Sequence, residues 1–270
     1  MPALIDFNAA NSRLCFAPSV PGKSLELSDS CFADRLDRFV ELTPTERAAI
    51  TRLEERPRLL RRGAVLLRAN DRGSELFVLR RGMLMSFVLL DNGSRQILRF
   101  HFPGDMLGWT ALVYRHSPET LAALTDAEVC PFDRSALSTL AVDHPRLFAA
   151  TMAVNQMERQ VMTDRLAAMG RTSARGRVAA LLIEIRDRLR QANPAITNSF
   201  MLGLTQEEIG DATGLTSVHV NRMLRQLEEE QFIAREGGRV TLLNEAVLAH
   251  LANYVDRSPT IDLNWLPASR

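Results

Sequence analysis

Residues 204–225 read LTQEEIGDATGLTSVHVNRMLR, and few patterns constrain a chain as tightly as this one. It describes two short helices broken by a tight turn. Thr205 and Glu208 form a T-x-x-E capping box that starts the first helix. Ile209, Ala212, Leu215, Val220, Leu224 and Leu227 then share one apolar face. Gly214 stands between the helices, where a helix-turn-helix wants a residue free to take positive φ. Counting along the second helix from Val220, Val218, Arg222 and Arg225 point away from the apolar face, with Asn221 on the shoulder. Arg and Asn are the side chains that bond bidentately to guanine and adenine edges in the major groove. A packed back and an Arg/Asn front suit a DNA recognition helix. The competing reading is a helical hairpin in an ordinary core, with arginines on a solvated face.

The surroundings favour the first reading. Residues 231–243 read as two strands joined by Glu236-Gly237-Gly238, a hairpin signal. A hairpin after a recognition helix makes a wing that touches phosphate backbone, with Arg235 and Arg239 as candidates. Upstream, residues 174–190 form an amphipathic helix with Val178, Leu181, Leu182, Ile185 and Leu189 on one face. Residues 244–254 give one more helix. Residues 171–255 therefore make a compact domain large enough for a small core. That segment holds ten arginines and ten acidic residues. A DNA binder usually carries a basic balance. The charge must therefore be segregated, with Glu228, Glu229 and Glu230 at the far end of the recognition helix and modest non-specific affinity.

Residues 57–134 have a different rhythm. β-rich runs at 65–67, 76–79, 83–90 and 96–102 alternate with turns at Asp71-Arg72-Gly73, Arg81-Gly82, Asp91-Asn92-Gly93 and Pro103-Gly104-Asp105. Short strands at this spacing predict a small all-β barrel or roll. Asp71 and Asp105 read as turn residues. Residues 145–169 follow as a long helix without internal Pro or Gly. Leu147, Thr151, Val154, Glu158, Val161 and Arg165 form a heptad-like stripe on it, with Phe148, Met152 and Met162 alongside. Glu158 and Arg165 either pair across a dimer or mark an imperfect coiled-coil phase.

The order LLRANDRGSELFVLRRG, then FPGDMLGW, then a long helix, then a winged helix-turn-helix resembles the bacterial Crp/Fnr family of transcription regulators over residues 33–250. The resemblance implies an α+β chain in five parts. Residues 1–32 are an N-terminal arm, and 33–143 a β-roll sensor domain of the cyclic-nucleotide-binding jelly-roll type. Residues 144–170 are a dimerisation helix, 171–255 the winged helix-turn-helix DNA-binding domain, and 256–270 a C-terminal tail. It also implies a cytoplasmic homodimer that binds a palindrome in double-stranded DNA and contacts RNA polymerase. The expected DNA-binding set is Thr205, Gln206, Ser217, Val218, His219, Asn221, Arg222, Arg225 and Arg239. Many family members read cytosine with a Glu where this chain has Val218, which can touch a thymine methyl but cannot accept a hydrogen bond from cytosine.

The same resemblance argues against cyclic AMP. Members that bind it hold the ribose with a Glu and the phosphate with an Arg-Ser/Thr-Ala triplet. Here those positions carry Trp109 and Ser117-Pro118-Glu119, and a carboxylate repels an anion. Asn70 also replaces a Gly of the family's turn. Trp109, Arg115 and Glu119 remain as candidate lining of an effector pocket, with the effector unidentified. Oxygen-sensing members ligate an iron–sulfur cluster through close-spaced N-terminal cysteines. This chain has Cys15, Cys31 and Cys130 only, scattered along its length, against the usual four ligands. His101, His116 and His144 read as ordinary polar residues rather than haem ligands. No cofactor and no metal is expected.

No apolar run approaches the ~18 residues of a membrane span. The N-terminus has no basic segment leading an apolar one, and three dispersed cysteines suit a reducing compartment. Lys23 is the sole lysine, so Arg carries nearly all the positive charge. No phosphate loop, metal set or nucleophile elbow suggests an enzyme. The alternative to a DNA-binding regulator is a ligand- or redox-responsive sensor whose helix-turn-helix serves protein interaction.

Overall fold

The computed structural model describes residues 29–268. The arm through residue 28, with Cys15 and Lys23, lies outside them. The chain begins with α1 (Cys31–Asp37), capped by the Ser30 hydroxyl, and α2 (Pro44–Thr51), capped by a Thr43/Glu46 box. Neither helix was legible in the sequence, because each spans two turns or so and their apolar residues fall into no long period.

Eight strands follow: β1 (Arg58–Leu60), β2 (Val65–Leu67), β3 (Glu75–Arg81), β4 (Leu84–Leu89), β5 (Arg95–His101), β6 (Met106–Leu107), β7 (Thr120–Ala123) and β8 (Ala127–Asp133). They form two four-stranded antiparallel sheets, ordered β1-β8-β3-β6 and β2-β7-β4-β5. The expected roll is present, and four of its strands fall on the expected runs. Phe77, Leu79, Leu84, Leu107, Leu121 and Val129 fill the space between the sheets. Strand β3 is apolar at consecutive positions, so both of its faces demand cover. Its outward Leu76 and Val78 meet α1, α2, α3 (Ser135–Asp143) and the first turns of α4 (Pro145–Arg171). Strands β4 and β5 behave alike, and their outward Met85, Ile97 and Phe100 pack with the C-terminal domain.

That domain starts at α5 (Ala174–Ala192), which follows α4 after a short break capped by Ser173. Then come β9 (Ser199–Met201), α6 (Gln206–Thr213), α7 (Ser217–Glu229), β10 (Ile233–Glu236), β11 (Arg239–Leu242) and α8 (Glu245–Ala252). The wing hairpin was expected; β9, which adds a third strand beside β11, was not. Arg95 also meets Asp211 of α6 at 2.7 Å, tying the roll's β4–β5 hairpin to the helix-turn-helix.

A buried charge cluster joins these parts. Asp105 is fully buried in the turn before β6, and Glu158 is nearly so at mid-α4. Arg35 of α1 sends one terminal nitrogen to each carboxylate, and Arg188 of α5 does the same. Arg99 of β5 approaches both from the other side. The fork of a guanidinium permits this bridging; a lysine ammonium is a single point charge. Asp105 still caps its turn, accepting from the Phe102 amide at 3.0 Å, but its second role was invisible in the sequence. Glu158 is not a residue of the outer helix face, since this cluster consumes it within one chain. Burial pulls the Arg99 guanidinium down to about 9 and that of Arg188 to about 10, leaving both cationic at neutral pH.

His101 abuts the cluster, with Nδ1 4.0 Å from Asp105, yet neither ring nitrogen has a hydrogen-bond partner. Burial, and then the positive charges of Arg99, Arg188 and Arg35, hold its pKa well below the usual value, so it stays neutral.

Removing one carboxylate strands the guanidiniums that remain. Asp105→Ala should cost about 3–5 kcal/mol in urea unfolding at neutral pH. The folded chain also resists protonating His101, whereas the unfolded chain does not. Its contribution to stability is therefore complete above about pH 6.5 and declines as pH falls below that. Between pH 6.5 and 5.5 the loss is about 1 kcal/mol. His101→Gln should flatten that part of the stability–pH curve.

Candidate nucleic-acid interface

The helix-turn-helix is built as its sequence suggests. Thr205 accepts from the Glu208 amide while Glu208 accepts from the Thr205 amide, so α6 starts on the expected capping box. Gly214 closes α6 at φ 67°, the left-handed conformation that the tight turn requires. Gly210 is needed for a different reason: a Cβ there would lie 2.4 Å from the Leu215 carbonyl oxygen. Thr216 caps α7 by accepting from the His219 amide. Val220, Met223, Leu224 and Leu227 bury the back of α7 against α5 and the wing.

The front of α7 is open. Val218 is 79% exposed, and Ser217, Arg222 and Arg225 are exposed beside it, while His219 and Asn221 are half-buried at the flanks. Thr205 and Gln206, at the start of α6, are exposed too. In the wing, Gly237 and Gly238 take positive φ in a two-residue turn, and Arg239 opens β11 toward solvent.

Part of the domain's acid is taken up in internal ion pairs. Arg235 bonds Glu228 at 2.5 Å, so it braces the wing against α7 and is no longer available for phosphate. Arg175 pairs with Glu230. Arg186 takes Asp187 and Glu245, each at 2.6 Å. Arg222, Arg225 and Arg239 have no hydrogen-bond or ion-pair partner among the described residues. Asp187, Glu228, Glu230 and Glu245 thus sit on structural arginines, while Arg222, Arg225 and Arg239 stay uncompensated.

The long helix α4 corrects the expected stripe. Leu147, Thr151, Val154 and Glu158 are all buried within their own chain, covering the roll and the charge cluster. Arg165 donates to the Leu98 carbonyl and pairs with Glu184, both at 2.9 Å. Only Val161 of that row is exposed, at 36%. The row one residue on, Phe148, Met152, Asn155, Arg159, Met162 and Leu166, keeps the same alternating spacing of four and three. Its Met162 and Leu166 are 40% and 72% exposed.

The candidate effector residues do not meet. Trp109 follows Gly108 in a short helical turn and packs on the Phe32–Val78 cluster, and Arg115 is exposed. Glu119 lies in the roll beside Ser86, and burial raises its pKa. Ser117 turns inward, its hydroxyl donating to the Glu119 carbonyl at 2.6 Å.

The cysteines do not fit an iron–sulfur cluster. The Cys31 thiol donates to the Arg80 carbonyl and the Cys130 thiol to the Glu54 carbonyl, each at 3.3 Å. Burial pushes the Cys130 thiol up to about 11, away from the thiolate a metal needs. Among the described residues no group of three His, Cys, Asp or Glu side chains is placed to hold a metal. No helix among them is long and apolar enough to cross a membrane.

Known proteins bear out this architecture. Residues 57–144 match the cyclic nucleotide-binding domain family, and residues 176–251 match the Crp-like helix-turn-helix domain family. The transcriptional activator protein Anr of Pseudomonas protegens is 31% identical over 208 residues, spanning 76% of this chain and 83% of Anr. The fumarate and nitrate reduction regulatory protein of Escherichia coli K12 is 28% identical, spanning 74% of this chain and 80% of its own. The structure of FixK2 from Bradyrhizobium japonicum superposes with a TM-score of 0.65 at 27% identity, covering 72% of this chain and 96% of that one. A CRP-family transcriptional regulator from Thermus thermophilus does so at 0.60 and 26%, covering 73% and 96%. The chain belongs to the Crp/Fnr family of transcription regulators, with a cyclic-nucleotide-binding-type β-roll, a long helix and a C-terminal Crp-like helix-turn-helix for DNA binding.

Proposed function

We propose that this regulator binds a palindromic operator as a homodimer, in the cytoplasm and without cyclic AMP, and that it acts through RNA polymerase rather than as an enzyme. The observation that carries the DNA assignment is the exposed front of α7, where Arg222 and Arg225 have no partner, with Arg239 likewise exposed and unpartnered in the wing that follows. Arg175, Arg186 and Arg235 are held by acids of the same domain, whereas these three are left for an anionic partner. Ser217 and Val218, at the N-terminal end of α7, reach base edges first; Arg222 lies one turn further along. Thr205, Gln206 and Arg239 hold phosphates and set the register. Val218 favours a thymine methyl over cytosine at the position it faces.

Dimerisation through α4 uses the row from Phe148 to Leu166, half-buried at its start and exposed at Arg159, Met162 and Leu166. Asn155 and Arg159 interrupt the row, and a polar residue in a coiled-coil seam selects register at a cost in stability. Against cyclic AMP stand Glu119 and the inward Ser117 at the position where a phosphate clamp would be needed.

Selection of bound sequences from random DNA at low salt should yield a palindrome whose half-site centres lie about one helical turn apart. Arg222→Ala should weaken the selected operator by about 1–3 kcal/mol and relax preference at one base pair per half-site. Arg239→Ala should weaken all sequences alike and flatten the salt dependence. Unchanged affinity and preference in Arg222→Ala would remove α7 as the reader.

Light scattering should give about twice the 30.2 kDa chain mass. Leu166→Glu should shift the protein toward the monomer without lowering its melting temperature in the monomeric form. A wild-type monomer at micromolar concentration would refute the assignment of α4.

A further inference from the structure

A cavity of about 960 Å³ lies between α4, α5 and the C-terminal segment 253–265. It is separate from the interior of the roll, where the family's nucleotide fold would place a ligand. Its α4 side is lined by Met157, Val161 and Ala168, a face distinct from the exposed Met162–Leu166 row. Leu181 of α5 lies opposite, and Ile261, Leu263 and Trp265 of the tail complete an apolar body. The tail is strapped in place. Tyr254 donates to Asp187 at 2.5 Å, Arg257 makes two bonds to Asp164 at 2.8 and 2.9 Å, and Leu263 and Leu266 rest on the α1–α2 cluster.

One end of this cavity is charged. Arg35 and Arg188 line it, each with about a tenth of its side chain still exposed, and Glu158 lines it with them. Behind them the buried cluster holds three guanidiniums, of Arg35, Arg99 and Arg188, against two carboxylates, of Asp105 and Glu158. His101 is neutral and adds no further positive charge. Glu119 of the roll acts on Arg99 from the far side, while at the cavity end the Arg35 Nε has no partner. The other buried or half-buried acids on the wall are occupied: Glu184 by Arg165, Asp164 by Arg257, and Asp187 by Arg186 and Tyr254. Asp256 and Asp262 are exposed on the tail and cap backbone amides. A buried guanidinium nitrogen left without an acceptor is costly and favours an anionic partner.

We propose that this cavity binds an amphipathic organic anion, with its carboxylate against Arg35 and Arg188 and its hydrocarbon or aromatic body among Met157, Leu181, Ile261 and Trp265. The volume lies at the upper end of the ~300–1,000 Å³ usual for small-molecule sites, and few polar groups beside much apolar wall is their usual make-up. Such a ligand wedges between α4 and α5, the helices that join the roll to the DNA-binding domain, and so acts on their spacing. Binding itself does not depend on the DNA-reading assignment.

The test is titration calorimetry on the full chain with decanoate, 1-naphthoate, decanol and acetate. At least one of the two larger carboxylates should bind, one per chain, below about 1 mM. Decanol should bind about tenfold or more weakly than decanoate if decanoate is the ligand taken, because it lacks the charge-assisted bonds. Acetate should not bind. Ala168→Trp, which fills the apolar body away from the charge cluster, should abolish binding while the melting temperature holds. Arg35→Gln should erase the preference for the anion; if that variant does not fold, the decanoate–decanol pair and Ala168→Trp still decide. Failure of both carboxylates to bind, equal affinity for decanol and decanoate, or unchanged binding in a folded Ala168→Trp would each overturn the proposal.

Discussion

Five charged side chains from five separate elements meet in a largely buried cluster, and the arrangement of this molecule depends on them. Arg35 comes from α1, Arg99 from β5, Asp105 from the turn before β6, Glu158 from α4 and Arg188 from α5. Each guanidinium bridges both carboxylates, so shifting any one element leaves an unpaired charge in the interior. Such a network is weak evidence for added stability, since well-packed apolar residues of similar volume often do as well. Its consequence is positional. The roll, the long helix and the DNA-binding domain reach full pairing in one relative placement.

Apolar burial alone would not select that placement. The roll is a sheet sandwich whose outer faces are also apolar, through Leu76 and Val78 on one sheet and Met85 and Ile97 on the other. Helices α1 to α4 cover the first and the winged domain covers the second. Hydrophobic contact is non-directional and tolerates sliding. Guanidinium–carboxylate geometry does not, because its forks fix direction as well as distance. Arg35 and Arg188 also line a cavity bounded by both α4 and α5, so a ligand bound there would act where the domains are joined.

On the reading face, the chain separates two uses of arginine. Arg175, Arg186 and Arg235 are paired with acids and hold the domain together. Arg222, Arg225 and Arg239 are left to solvent. A domain with no net charge can still present unpaired cations on α7 and the wing when Asp187, Glu228, Glu230 and Glu245 are held by structural arginines.

Local signals were sufficient wherever the determining contacts lie within a few residues. The Thr205/Glu208 box, Gly214 in its left-handed turn, the Gly237-Gly238 hairpin and the long uninterrupted helix after Pro145 could all be read along the chain, because capping, turn chemistry and helical periodicity are short-range. The family order of motifs was legible too. Tertiary structure decided the rest. Two rows on α4, one residue apart, share the same spacing, and periodicity cannot say which faces the roll; Arg35, Arg99 and Arg188, meeting Glu158 from elements far apart in sequence, settle it. Asp105 reads as a turn residue because its cap to Phe102 is local, while its pairing with Arg35 and Arg188 spans the chain. Likewise Arg235 and Arg239 are alike in sequence, and only the position of Glu228 on α7 makes one a brace and leaves the other free.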